Sequence, residues 1–462
     1  MASAIMQTAP PRPPVRHVSH WNTPRILRAG RLSLLILDFV MLAAAWGVTS
    51  VHREAMKTVG KNAAPSIIAA QHIKAAIADM DAEAANELLD PPGAITESND
   101  AYEARRIEAA KTLISAAENI TYGEDERGPI AALQVGIGTY ERLIQRARDL
   151  HERNDPKYVE AYRDAAKLLD ATLLPAAETL DKANTEVLEH TYREQAGHSS
   201  SSQSLFVFCA VMLVMALGWM QLFLTKRMRR AINPQLLLAT VVALFWLSST
   251  LGAYAVERRQ LKVAREDAFD SIHALWRARA DAYWANSDES RSLLDPTHLA
   301  DHERDFAGKI DAFAKAPAGM KLEELPQAER SGISVKGFTG YLADEFNNIT
   351  FRGEREAAVL ALTRFNDYLA VTREVRRLDS TGHHRDAIAL GTGTESGQSD
   401  WAFDRLDQAL GATIDINQTA FDNAVTNGFS ALEGVDLKAA ILAAIIGVLA
   451  FLGLAPRIRE YQ

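Results

Sequence analysis

The hydrophobic residues of this 462-residue chain gather in four long blocks that two long polar stretches separate. Each block is about 20 residues long, which is the length that an α-helix needs to cross ~30 Å of hydrocarbon. The pattern therefore predicts four transmembrane helices, at residues 32–52, 205–225, 236–256 and 437–455.

The polar stretches cover residues 53–204 and 257–436, and each is large enough to have a core of its own. In the first stretch, apolar residues recur at helical spacing from Ile67 to Leu89, and the sequence Asp-Pro-Pro-Gly that follows ends this helix. The same periodicity predicts three further helices, at residues 101–120, 130–152 and 158–193. A charged loop is expected at 123–128 and a Ser-rich joint at 197–203, and Pro175 should kink the last of these helices.

A short sequence motif occurs once in each polar stretch. Leu88-Leu89-Asp90-Pro91 and Leu293-Leu294-Asp295-Pro296 are 205 residues apart, and the same offset places the first apolar block on the third. Such self-similarity is the signature of a repeat. The fold class that we predict is an all-α integral membrane protein with two extracytoplasmic antiparallel four-helix bundles, arranged as a parallel internal repeat. The second stretch differs by a Gly-rich connection at 380–399 before its last helix, at 400–432.

Charge is divided unequally between the short and the long polar segments. Residues 1–31, 226–235 and 456–462 together carry a net charge of +10, whereas the two long stretches together carry −19. Short basic loops stay in the cytoplasm, so we expect both termini and the central link inside and the long stretches outside. The predicted location is the plasma membrane of a bacterium. The Pro-rich tail at 1–31 is predicted to be disordered, and no nucleic-acid partner is implied.

The sequence offers little catalytic chemistry. Cys209 is the only cysteine, so no intrachain disulfide forms. The predicted cytoplasmic segments are too short for a catalytic domain, and no Ser/His/Asp or Cys/His arrangement stands out. His383 and His384 lack a second cluster of metal ligands, which favours a solvent-facing turn. We therefore expect a protein that is not an enzyme and that binds neither a cofactor nor a metal.

Five residues are candidates for a surface that binds a ligand or a partner protein. Trp276, Tyr283 and Trp284 lie seven and eight residues apart and are expected on one helix face. Such a stripe is more often bundle core, although aromatic residues are also enriched at binding surfaces. Arg105 and Arg106 could clamp a carboxylate, but ion-paired arginines are commoner in an acidic domain.

The membrane-associated part contains two further candidates. Asp38 is the one acidic residue inside a predicted span, and such a carboxylate is a functional candidate by default. The alternative is an ion pair with Arg31, two turns away. The central link fixes the topology, and a further hypothesis is that its basic residues dock a cytoplasmic partner or anionic lipid. These residues are Lys226, Arg227, Arg229 and Arg230.

Four short sequences and the basic link carry a resemblance to a known family. The sequences are DMDAEAAN, AYRD, TLLPAA and NPQLLLAT, at residues 79–86, 161–164, 172–177 and 233–240. With these segments the chain resembles actinobacterial four-span membrane proteins that work with a glutamate/aspartate-binding lipoprotein and a cytoplasmic Ser/Thr protein kinase. The predicted helices that leave the membrane, pack as a bundle and return are also similar to the sensor domains of bacterial chemoreceptors, which is a weaker likeness.

The resemblance implies a protein that relays extracellular amino-acid availability to the kinase, and it transfers no catalytic residue. Its expected partners are membrane lipid, an extracytoplasmic solute-binding protein and a cytoplasmic signalling protein, and a homo-oligomer stays open. The alternative function is a scaffold or assembly factor for envelope proteins. A transporter is disfavoured because the spans contain no Gly/Pro-broken helix pair.

Overall fold

A computed structural model describes residues 23–93, 97–228, 232–332 and 334–460, and these are almost entirely α-helical. The first half contains α1 to α6, which are Thr23–Lys57, Ala64–Leu89, Glu97–Glu118, Glu124–Glu152, Tyr158–Leu168 and Leu174–Met228. Two π-helical segments, Thr58–Ala63 and Leu169–Leu173, connect α1 to α2 and α5 to α6.

The second half begins at α7, and a π-helical segment, Val263–Phe269, joins α7 to α8. Its helices α7 to α15 are Pro234–Lys262, Asp270–Leu294, Leu299–Phe313, Leu325–Arg330, Tyr341–Asn348, Glu354–Ser380, His384–Gly391, Ser399–Leu432 and Val435–Arg459. The chain divides into two compact units. We call residues up to 49, 201–251 and from 434 onward the apolar unit, and residues 50–200 and 252–433 the polar unit.

The apolar unit consists of segments from four long helices. Four helical runs are long and apolar enough to cross a membrane: Thr23–Leu89, Ser201–Arg227, Pro234–Leu294 and Ser399–Arg459. Large apolar side chains such as Phe39, Trp219 and Phe245 lie on the exposed surface, whereas Met41 and Trp246 are buried. An exposed surface of this kind suits lipid rather than water. The four runs confirm the prediction of four apolar helices and indicate a multi-pass membrane protein.

The ends of the apolar helices differ from the prediction in one place. Helix α1 begins at Thr23, so residues 23–31 are helical rather than disordered, and Leu27 is buried. The apolar periodicity of the first span continues back to this leucine, which explains the earlier start. Of the five prolines of the predicted tail, four lie outside the described residues, and Pro24 lies in the first turn of α1.

The polar unit is built around α2 and α8, which pack side by side. Every residue from 75 to 82 in α2 and from 282 to 294 in α8 is buried. The many alanines of α2 allow neighbouring helices to approach its backbone closely. Helix α3 packs on α2, α9 and α14 pack on α8, and α12 packs on α14.

The two polar stretches were expected to form separate domains, but both belong to this one compact unit. The pairing of α2 from the first stretch with α8 from the second is the physical reason, because each helix buries its surface against the other. The description as two four-helix bundles stays a prediction.

Several segments that were predicted as loops or joints are helical. Helix α4 begins at Glu124 within the predicted charged loop, and its three acidic residues in the first turn suit the positive end of a helix dipole. The predicted Ser-rich joint lies inside α6. A π-helical segment, Leu169–Leu173, precedes Pro175, where we predicted a kink. Helix α13 occupies part of the Gly-rich connection.

The same side-chain contacts occur in both halves of the polar unit. Asn119 Nδ2 donates to Ser66 Oγ at 2.8 Å, and Asn348 Nδ2 donates to Ser271 Oγ at 3.1 Å. Ser66 and Ser271 are 205 residues apart, which is the offset of the repeated sequence motif. Each asparagine also donates to a backbone carbonyl of the preceding π-helical segment.

A second matched contact follows a few residues later. Glu126 Oε2 accepts two backbone N–H groups at 2.7 Å, and Glu354 Oε2 does the same at 2.7 Å. The donors are Thr121 and Tyr122 in the first half and Thr350 and Phe351 in the second. These matched contacts support an internal duplication, although the offset grows from 205 residues at the serines to 228 or 229 at the later residues. The complete repeat arrangement stays a prediction.

Candidate functional site

Arg105 of α3 joins three residues in the middle of the polar unit. Its guanidinium donates to Asp79 of α2, to Glu108 Oε2 at 2.8 Å and to the hydroxyl of Tyr283 of α8 at 3.2 Å. It also lies 5.5 Å from the centre of the Tyr283 ring. Asp79 is only 6% exposed, and a buried carboxylate needs such a partner. Arg105 therefore links α3 to both central helices.

A cavity of about 220 Å³ lies beside this arginine, and we call it the acidic cavity. Its wall contains five carboxylates and one basic side chain, Arg105. The carboxylates come from α2, α3 and α14, and they are Asp79, Glu83, Glu97, Asp400 and Asp404. The remaining wall contains Ser98, Ala101, Tyr283, Asn286, Thr394 and Phe403.

The protonation of these carboxylates is perturbed. Burial raises the pKa of Asp79 to about 6, although the charge of Arg105 opposes the rise. Burial, together with the negative charge of Asp79, raises the pKa of Glu83 to about 8. Burial also raises the pKa values of Asp400 and Asp404, and neighbouring carboxylates add to both shifts. The acidic cavity therefore carries several carboxylates that hold protons more tightly than carboxylates in water.

Aromatic and amide groups complete the wall. The rings of Tyr283 and Phe403 meet edge to face with centroids 4.9 Å apart. Asn286 is 5% exposed, and its Oδ1 accepts a hydrogen bond from Tyr368 at 3.5 Å. Its Nδ2 donates to no group among the described residues. The cavity thus combines anionic groups, an aromatic pair and a buried polar amide, which can orient a small polar ligand.

Residues 55–193 match the actinobacterial sensor domain family. No characterised protein and no solved structure shows significant similarity to the chain. The match supports an actinobacterial type of sensor protein, as the resemblance predicted at this coarser level. The matched residues 55–193, which we call the sensor domain after that family, begin in α1 and end in α6. They supply four charged residues of the acidic cavity: Asp79, Glu83, Glu97 and Arg105.

The predicted aromatic stripe is divided between two sides of α8. Trp276 and Tyr283 lie towards the sensor-domain residue Arg105, and the Trp276 ring is 4.9 Å from that of His72. The centre of the Trp284 ring instead lies 5.5 Å from Cζ of Arg291 and 5.5 Å from Nζ of Lys309, and Trp284 does not line the cavity. The prediction of one shared face is wrong for Trp284, because it follows Tyr283 directly and a helix turns by about 100° per residue.

The two candidate arginines of the sensor domain do not act together. Arg105 lines the cavity, whereas Arg106 pairs with Glu103 at 2.8 Å and with Glu141 at 3.8 Å on the exposed side of α3. Arg105 and Arg106 therefore face different surroundings and do not bind one carboxylate together. The commoner interpretation of ion-paired arginines describes both residues, since Arg105 pairs with Asp79 and Glu108.

A second group of charges is buried between the sensor domain and α8, and we call it the buried ion cluster. Asp81 accepts hydrogen bonds from Arg291 Nε at 2.7 Å and from Ser287 at 2.6 Å. The hydroxyls of Tyr140 and Tyr162 also donate to Asp81, both at 2.9 Å. Asp288 and Lys309 extend the cluster, and Asp170 lies at its edge with an exposed side chain.

Asp38 is buried in the apolar unit at 6% exposure. Arg31 lies 4.8 Å from the centre of the Phe451 ring, and the described residues show no ion pair between Arg31 and Asp38. The predicted pair is therefore not formed. Oδ1 of Asp38 has no hydrogen-bond partner among the described residues, and its other oxygen lies next to Gly447 of α15. The carboxylate keeps its status as a candidate functional group.

The basic link is described only in part. Lys226 and Arg227, at the C-terminal end of α6, are exposed. Arg229 and Arg230 lie outside the described residues. Two of the four predicted output residues are therefore on a helix surface that is accessible within the described part.

Sequence reasoning missed most of the cavity wall. Glu83, Asp400 and Asn286 were not among the candidates, because charged and amide residues in a polar stretch look like solvated surface. One signal was present in the sequence. Residues 286–292 are seven consecutive polar residues in a helix that otherwise carries large aromatic residues, and all seven are buried.

Proposed function

We propose that this chain is a membrane sensor that relays the presence of an extracellular ligand to a cytoplasmic partner such as a Ser/Thr protein kinase. The observation that carries the proposal is the match of residues 55–193 to the sensor domain family. The four apolar helices support a place in the membrane, and the basic short segments support an orientation with the polar unit outside.

The ligand that the resemblance suggests is an amino acid, presented by a solute-binding protein. The chain would act by changing the position of helices rather than by chemistry of its own, and the partner would supply the enzymatic output. Helix α6 supports this role because it runs without interruption from sensor-domain residues to the exposed Lys226 and Arg227. Small shifts of a continuous helix are an established means of transmitting a signal.

The experiment that tests the relay changes the charge of the basic link. In the variant Arg227→Gln with Arg229→Gln, phosphorylation of a kinase substrate should stop responding when glutamate or aspartate is added to cells. Lys226 and Arg230 are retained so that the topology survives. Ligand binding to the purified variant should equal that of the wild type, because the change lies outside the polar unit.

The matched control is Arg457→Gln with Arg459→Gln, which removes the same charge from the other described basic segment, residues 456–460. This variant should respond normally if the link is the output. A normal response of the link variant, at normal abundance, would contradict the proposal for the link. If the wild-type chain itself gives no response to either amino acid, the alternative function of a membrane scaffold is favoured.

The orientation has its own test. Cys209 is first replaced by serine, and a single cysteine is then introduced at Ser396, which is exposed in the polar unit, or at Ser19. A membrane-impermeant maleimide should label the cysteine at 396 in cells whose plasma membrane is accessible, and it should not label the cysteine at 19. The opposite result would reverse the orientation.

A further inference from the structure

We propose that the acidic cavity binds a small organic cation directly, through an ammonium group held between the carboxylates of α2 and α14. The inference rests on the proposed sensor function and deepens it by naming the chemical class of a ligand. It requires no binding protein for this ligand.

The first observation is an imbalance of charge. Five carboxylates and one arginine line the cavity. Arg105 is already engaged by Asp79 and by Glu108, which lies outside the cavity. Glu83 and Asp404 have no ion pair with any described residue. A ligand with positive charge would supply the counter-charge that the wall itself does not supply.

The second observation comes from the duplicated halves. Asp81 and Asn286 are 205 residues apart, as are Asn86 and Arg291. In the buried ion cluster, Arg291 donates to Asp81 at 2.7 Å and to Asp170 at 3.3 Å. The matching position of the first half is Asn86, which does not line the acidic cavity itself but donates from its Nδ2 to the cavity residue Asp400 at 3.3 Å.

One half therefore contains a built-in cation where the other half has a neutral amide. An ammonium group offers up to three N–H donors, which suits a wall that carries several carboxylates. A cationic ligand in the cavity would supply beside Asp400 the positive charge that Arg291 supplies in the buried ion cluster.

The third observation concerns the rest of the wall. Asn286 is a buried amide that lines the cavity, and its Nδ2 has no acceptor among the described residues. The edge-to-face rings of Tyr283 and Phe403 provide an apolar surface for a short carbon chain. The volume of 220 Å³ is smaller than that of sites for drug-sized ligands, roughly 300–1,000 Å³. A short amine fits this combination.

A metal ion fits the site less well. The part of the chain that the structure describes contains no group of three or more His, Cys, Asp or Glu side chains placed to hold one. The carboxylates are therefore spread around a cavity rather than gathered on one point. An organic cation, whose charge is carried on a larger body, matches this spacing better.

The affinity of the cavity for a cation should depend on pH, because the carboxylates of its wall hold protons. Burial raises the pKa of Glu83 to about 8, so cation binding must displace its proton at neutral pH. The charged groups facing Glu83 are Asp79 on its own helix, Glu97 and Arg105 on α3, and Asp400 and Asp404 on α14. Affinity for a cation should therefore rise between pH 6 and pH 8.

The test uses the purified full chain in lipid nanodiscs and isothermal titration calorimetry. The probes are putrescine and ethanolamine, and the comparison compounds are 1,4-butanediol, which is the neutral analogue of putrescine, and glutamate. At pH 7.5 at least one amine should bind saturably, and butanediol should not. Absence of saturable binding by both amines, or equal binding of butanediol, would overturn the proposal.

Three variants locate the binding. Asp404→Asn removes one cavity carboxylate and should weaken amine binding by roughly tenfold. Asp415→Asn removes an exposed carboxylate from the same helix, away from the cavity, and should leave binding unchanged. Asn86→Arg introduces the cation of the matching position and should abolish amine binding while the far-UV circular dichroism stays that of the wild type.

The outcomes separate this inference from the proposed function. Equal affinities of the Asp404 and Asp415 variants would show that the amine binds elsewhere, and would overturn the inference. A kinase response to glutamate in cells without amine binding in vitro would leave the sensor intact and reject the ligand class. Amine binding without any kinase response would support the site and reject the relay.

Discussion

The ion pair of Arg291 with Asp81 allows a sharp test of how the polar unit is held together. Arg291→Met keeps a side chain of similar length and removes the charge. The Arg291 side chain is 5% exposed and that of Asp81 is fully buried. The change leaves a buried carboxylate with three hydroxyl donors and no cation.

The expected cost follows from this burial. Removing one partner of a buried ion pair costs about 3–5 kcal/mol, since the other charge stays buried without compensation. The loss of contact with the Trp284 ring, 5.5 Å away, is small because methionine retains much of the packing. We therefore expect the free energy of unfolding to fall by roughly 3–5 kcal/mol.

The assay is denaturant unfolding of the full chain in mild detergent, followed by circular dichroism. The control is Arg304→Met, because Arg304 pairs with Asp301 while both side chains are more than half exposed. This control should cost less than about 1 kcal/mol. The double variant Asp81→Asn with Arg291→Met should recover part of the loss, since the matching position of the other half is Asn286. Equal losses of unfolding free energy in Arg291→Met and in the control Arg304→Met would refute the reasoning.

Two further changes probe the cavity and a turn. The pKa of Glu83 is about 8 in the folded chain and 4.5 when unfolded, so the folded state holds the extra proton and stability falls as pH rises between these values. Glu83→Gln should remove this decline in the free energy of unfolding, which amounts to as much as about 5 kcal/mol at pH 8. The control Glu118→Gln, at an exposed position, should keep the decline. Unfolding measured at pH 5 and at pH 8 distinguishes the two variants. Gly340 has a φ of +103°, and a Cβ there would lie 2.8 Å from a backbone oxygen, so Gly340→Ala should cost more than about 2 kcal/mol. Gly138→Ala, in open space within α4, should instead stabilise slightly in the same unfolding assay; an equal effect of the two alanines would contradict the steric argument.

The membrane helices were predictable because length and hydropathy alone decide them. The blocks that begin at Leu32 and Leu205 have no competing interpretation in a chain of this composition. Helix interiors such as the run from Ile67 to Leu89 also followed from periodicity. The helix starts at Thr23 and Glu124 were missed, because charged residues at a helix start look like loop in the sequence.

The acidic cavity was beyond sequence reasoning for a different reason. Its wall combines residues from four helices, and the pairing of α2 with α8 brings Asp79 close to Tyr283 although they are about 200 residues apart. Nothing in the hydrophobic pattern specifies that pairing, since both helices bury nearly their whole surface. Arg105 was correctly chosen as a candidate, but its partners depended on the packing.

The π-helical segments Thr58–Ala63 and Val263–Phe269 occupy matching places before the two central helices. A π-turn accommodates one more residue than an α-turn, so it shifts the phase of every side chain that follows by about 100°. The inward face of α2, including Asp79 and Glu83, is therefore set by one inserted residue upstream. Deleting Gly60 alone would rotate that face as a whole, which means that a one-residue length change in this chain is equivalent to replacing the lining of the cavity.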